Sequence, residues 1–175
     1  MIKIYLAGKV AKGDEIGSIE NWRIRYQSAL SKSLDECLVF LDPEDPDLDE
    51  SNSLEVVGHD CSMIQDSDLI IVNAEKKLGV GTAQEMIVAK YYRKYVVSVI
   101  PDNSHYSRVN LNMYGSIIPK WIHPFMNVMS DKIVCNLAEL RDSLPEISTC
   151  IREGKAKDIS VIDESCLYYT MKKSR

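Results

Sequence analysis

Ser67-Asp68-Leu69-Ile70-Ile71-Val72-Asn73 runs on through Leu78-Gly79-Val80-Gly81-Thr82-Ala83-Gln84-Glu85. The apolar run Leu69-Ile70-Ile71-Val72 has the pattern of a strand buried on both faces, as in a parallel sheet. The glycine-rich turn after it delivers Glu85 into the first turn of a helix expected over residues 82–93. Ligands of open α/β sheets gather at that edge, beyond the carboxyl ends of the strands. Helix amides and the macrodipole there favour an ionised Glu85. An anionic carboxylate so placed can act as nucleophile, base or ribose clamp.

Outward from this segment the same alternation repeats. Strands are expected at 2–7, 38–41, 69–73, 95–100 and 132–135, and helices at 19–37, 54–65, 82–93 and 137–153, the last open to a break at Pro145. Strands alternating with helices imply right-handed crossovers, hence a parallel sheet of about five strands covered on both faces. The fold class is therefore a single Rossmann-like or flavodoxin-like three-layer α/β domain over 1–153. A tail at 154–175 follows, in which Ile159-Ser160-Val161-Ile162 could form an edge strand. The acidic, proline-interrupted stretch 42–50 reads as a loop, and the pattern loosens between 103 and 119.

The 175 residues carry a net charge of -5 and are 45% hydrophobic, which suits a soluble globular protein and argues against a polymeric nucleic-acid partner. No apolar run reaches membrane-spanning length. Five cysteines, odd in number and without a C-x-x-C spacing, suggest reduced, mostly buried thiols in a cytoplasmic protein. His59, His105 and His123 share no ligand spacing, so no metal site is expected.

Several side chains could share a site with Glu85. Gly79 and Gly81 let a ligand approach the backbone closely. Asp60, on the helix before the third strand, can reach Glu85 if that helix packs over the sheet's carboxyl edge. Two carboxylates in one pocket can divide labour, one attacking and one handling a proton. Asp68 begins its strand at the far end, where capping or turn formation suits it better. Tyr5, on the first strand, would need a partner for its hydroxyl if buried, and a carboxylate at the sheet edge would serve.

Taken together, these residues resemble the nucleoside 2-deoxyribosyltransferase family over roughly residues 2–116. The similarity runs from Lys3-Ile4-Tyr5-Leu6-Ala7-Gly8 through Asp60, Asp68-Leu69-Ile70-Ile71-Val72 and Gly81-Thr82-Ala83-Gln84-Glu85 with Ala89. It reaches Val99-Ile100-Pro101-Asp102 and Val109-Asn110-Leu111. The resemblance implies that Glu85 is the nucleophile at the anomeric carbon and that Tyr5 positions it. Asp60 is implied to assist leaving-group protonation, and Asn110 to reach a neighbouring subunit's site in a homodimer or higher homo-oligomer. It further implies a nucleoside or nucleotide and a free nucleobase as small-molecule partners, and no cofactor.

One departure is Gly79, where many transferases carry an Asp that contacts the base. The string Leu78-Gly79-Val80-Gly81 instead looks like the related 2'-deoxynucleoside 5'-monophosphate N-glycosidases, which hydrolyse rather than transfer. Those hydrolases hold a phosphate with a basic, glycine-rich loop after the first strand. Gly8, Lys9, Lys12, Arg23 and Arg25 lie in that region, without the hydrolases' Gly-Gly-Arg string. A non-catalytic nucleotide-binding module and an NAD-cleaving glycosidase are the further readings.

Overall fold

The computed structural model describes residues 1–10 and 21–174. The chain forms β1 (Ile2–Ala7), α1 (Trp22–Leu30), β2 (Leu38–Leu41), α2 (Ser53–Asp66), β3 (Leu69–Asn73), α3 (Val80–Tyr91) and β4 (Tyr95–Val99). There follow β5 (Ser107–Met113), β6 (Ser116–Ile122), α4 (Pro124–Met129), β7 (Lys132–Val134), α5 (Leu137–Arg152) and α6 (Val161–Lys173). Five parallel strands take the order β2-β1-β3-β4-β7, and β5 and β6 form a separate antiparallel pair. The chain moves from β1 outward to β2, then returns to lay β3 on the other side of β1. That reversal opens a crevice beyond the carboxyl ends of β1 and β3.

Strand periodicity sorts the core into two layers. Ile4, Leu6, Leu69, Ile71 and Val97 face α1 and α5, meeting Tyr26, Leu30, Leu140, Leu144 and Ile147. Tyr5, Ala7, Ile70, Val72 and Val96 face the other way, onto Ile64 of α2, Met86 and Ala89 of α3, and Met126 and Met129 of α4. Asp68 ties the amino ends of β1 and β3 together: its carboxylate accepts from Lys3 N at 2.9 Å and its own amide donates to Lys3 O at 2.8 Å.

Five expectations need correction. Helix α1 ends at Leu30, well short of Cys37, where Ser31, Ser33 and Asp35 follow, residues whose side chains favour caps and turns over helix interiors. Its expected start at Ile19 lies outside the described residues. The loosened stretch after Pro101 is a β-hairpin, turned at Tyr114 and Gly115 with φ of 51° and 81°, the signature of a tight two-residue turn. Helix α5 runs unbroken through Pro145, which sits on its exposed face where the carbonyl left without a donor can meet water. Residues 159–162 lead into α6 instead of pairing at a sheet edge. The cysteines are all free, but none is buried: Cys37 and Cys166 are exposed and the other three intermediate. No helix is long and apolar enough to cross a membrane among the described residues.

A buried ion pair that the sequence did not suggest locks the far side of the sheet. Lys90 of α3 meets Asp131, their side chains 0% and 3% exposed. Asp131 also accepts from Val96 N at 2.6 Å and Lys157 N at 2.7 Å, fastening the start of β4 and the segment before α6.

Candidate active site

Residue parity on β1 turns Tyr5 toward α2 and α3, at the carboxyl end of the strand. Its hydroxyl donates to Glu85 Oε1 at 3.1 Å. Glu85 Oε2 is buried and has no hydrogen-bond partner among the described residues. Helix α3 starts at Val80, two residues earlier than expected, so Glu85 lies in its second turn. The macrodipole acts mainly within the first turn, and burial wins instead. Burial, with the negative charge of Asp60, pushes the Glu85 carboxyl up to about 7, against the lowering effects of Tyr5 and Arg23. The expected stabilisation of the anion by helix amides is thus overturned. Burial and the Glu85 charge hold the Tyr5 hydroxyl far above its ordinary range, so it remains a donor.

Asp60, on α2, lies near enough for its charge to raise both Glu85 and Tyr5. His59 Nδ1 lies 3.3 Å from Asp60 Oδ1. Cys61 also senses both carboxylates. Burial first, then Asp60 and Glu85, push its thiol up, which keeps it from acting as a thiolate. Sequence reasoning weighed His59 only as a metal ligand and gave Cys61 no place here. Their adjacency to Asp60 was the available signal. Among the described residues no group of three or more His, Cys, Asp or Glu could hold a metal ion.

Arg23 is fully buried beneath the site. Its guanidinium donates to Leu6 O at 3.2 Å, Gly8 O at 3.1 Å and Lys9 O at 3.4 Å, and pairs with Glu44 at 2.9 Å and Asp42 at 3.4 Å. The guanidinium therefore shapes the loop after β1, and it is engaged by the protein rather than offered to a ligand. Trp22 lies over it, with Arg23 Cζ 4.6 Å from the ring centroid. A Cβ at Gly8 would come within 2.7 Å of Trp22 Cζ2; glycine is required there so that the indole can close on the strand end. Lys9 is exposed, and its carbonyl also accepts from Trp22 Nε1 at 3.2 Å. Lys12 lies outside the described residues. Arg25 pairs with Glu75. Gly79 and Gly81 are exposed, with open space where a Cβ would stand. The structure thus brings Tyr5, Glu85, Asp60, Gly8 and Arg23 around one crevice. Asn110 is on the β5–β6 hairpin, exposed and with φ of 52°.

A buried phenol–carboxylate pair with a second carboxylate beside it, at the switch point of a parallel sheet, is suited to chemistry at an electrophilic carbon. No protein-family model matches the chain, and no curated protein matches it significantly. Among solved structures it is similar to a conserved protein from Enterococcus faecalis V583, with TM-score 0.61 and 14% identity over 83% of this chain and 98% of that one. It is similar also to a 2-desoxiribosyltransferase from Leishmania mexicana, with TM-score 0.56 and 19% identity over 83% and 98% of the two chains. A 2-deoxyribosyltransferase from the psychrotolerant Bacillus psychrosaccharolyticus follows, with TM-score 0.53 and 15% identity over 80% and 90%. The fold is that of 2-deoxyribosyltransferase-like proteins.

Proposed function

We propose that this protein cleaves the N-glycosidic bond of 2'-deoxynucleosides and transfers the deoxyribosyl group to another nucleobase. The observation that carries this reading is the Tyr5–Glu85 hydrogen bond of 3.1 Å, which fixes one carboxylate oxygen while the other has no partner among the described residues. Glu85 Oε2 attacks the anomeric carbon, and the C–N electron pair leaves with the base as Asp60 assists its protonation. The ester so formed is opened by the nitrogen of a second base, which regenerates the carboxylate. Both displacements pass through oxocarbenium-like states that nearby negative charge stabilises. Ionisation of Glu85, which burial opposes, is favoured once a carbon that develops positive charge lies against it. The chemistry needs no cofactor. Gly8, Lys9, Gly79 and Gly81 border the substrate, and Asn110 supplies a cross-subunit contact in a homodimer.

Gly79 favours a second reading. With no carboxylate there to grip an incoming base, water can open the ester, as in a 2'-deoxynucleoside 5'-monophosphate N-glycosidase. Incubation of deoxyinosine with and without adenine tests both, with deoxyinosine 5'-monophosphate run in parallel. New deoxyadenosine supports transfer. Free deoxyribose, or its 5'-phosphate, as the sole sugar product supports hydrolysis. Release of no base from either substrate refutes the enzyme reading.

A further inference from the structure

We propose that His59 is a positioning residue, which aims the Asp60 carboxylate at the Tyr5–Glu85 pair. The inference rests on the reading of Asp60 as part of the reaction centre. Adjacent side chains on a helix normally point away from each other, yet His59 Nδ1 stands 3.3 Å from Asp60 Oδ1. The other ring nitrogen, Nε2, stands 3.8 Å from Asp45 Oδ2, on the loop after β2. The His59 side chain is 22% exposed, so its ring is held between the two carboxylates rather than swinging in solvent.

The same loop carries Asp42 and Glu44, which grip Arg23 at 3.4 and 2.9 Å. Arg23 in turn holds the carbonyls of Leu6, Gly8 and Lys9. The acidic loop thereby braces the strand end of β1 through Arg23 and places Asp45 beside the His59 ring. Without the imidazole, Asp60 loses the contact that selects its rotamer. Misorientation of a reacting group by about 1 Å costs on the order of 100-fold in rate.

His59→Phe keeps the ring and removes both nitrogens, whereas His59→Asn keeps an amide nitrogen near the Nδ1 position. His59→Phe is expected to lower kcat about 10- to 100-fold with KM within about twofold of wild type, and His59→Asn to restore most of it. Wild-type kcat in His59→Phe, equal losses in both variants, or a rise in KM alone would overturn the proposal. Nitrogen-15 spectra of the His59 ring supply a readout independent of turnover. Nδ1 should carry a proton in the wild type and lose that preference in Asp60→Ala. A ring protonated only at Nε2 overturns the proposal even in an active enzyme. Base release by no form of the protein would instead refute the N-glycosidic reading, leaving the ring spectra to decide the His59–Asp60 link.

Discussion

Replacing Glu85 with Gln removes the charge while preserving the shape, and the amide oxygen can still accept from Tyr5. In the wild type, burial and Asp60 raise the carboxyl from 4.5 to about 7. Each unit corresponds to about 1.4 kcal/mol between protonation states, so the ionised form costs the fold roughly 3 kcal/mol. The unfolded chain releases this proton near 4.5, and the native state holds it until about 7. The native state thus binds more protons in that interval, and wild-type stability falls as pH rises through it. Glu85→Gln lacks that fall. Burying the amide nitrogen adds a penalty that does not vary with pH, so the diagnostic quantity is the change with pH. Urea unfolding from pH 4 to 8 should show the variant gaining about 3 kcal/mol on the wild type, nearly all of it between 4.5 and 7. A stability difference that is flat across the range would refute the buried-carboxylate account.

Tyr5→Phe removes a hydrogen bond that lowers Glu85, whereas Asp60→Asn removes a charge that raises it. The acid limb of kcat/KM should therefore move to higher pH in the first and to lower pH in the second, and shifts of the same sign would contradict the assignment. Lys90→Ala strands the nearly buried Asp131 carboxylate and should destabilise the fold by about 3–5 kcal/mol in chemical denaturation. A loss below about 1 kcal/mol would show that the amides of Val96 and Lys157 suffice to hold Asp131. Gly8→Ala places a methyl 2.7 Å from Trp22 Cζ2 and should cost about 1–3 kcal/mol while disturbing the indole. Unchanged tryptophan fluorescence and unchanged stability would show that the ring moves aside freely.

The sheet was legible because its strands are short, apolar and separated by helical patterns. Residue parity on β1 even indicates that Tyr5 and Leu6 face opposite layers. The crevice followed from the strand order, which sequence suggests only through the alternation of elements. What escaped depended on contacts between distant segments. Arg23 reads as a surface cation until the carbonyls of Leu6, Gly8 and Lys9 are seen to converge on it. Lys90 and Asp131 carry no local sign that they will meet in the interior. The hairpin was missed because Tyr114-Gly115 is not the Asn-Gly pair that usually announces such a turn. Glu85 was placed one turn too early because Val80 and Gly81 are weak helix formers, and the tertiary fold extends α3 through them.

A slow 2-fluoro-2-deoxyribosyl substrate followed by peptide mass spectrometry examines the carboxylate most directly. The account predicts a sugar ester on Glu85 that disappears when a second nucleobase or time is supplied, and that never forms in Glu85→Gln. Base release without any adduct on Glu85, or an adduct on another residue, would contradict it.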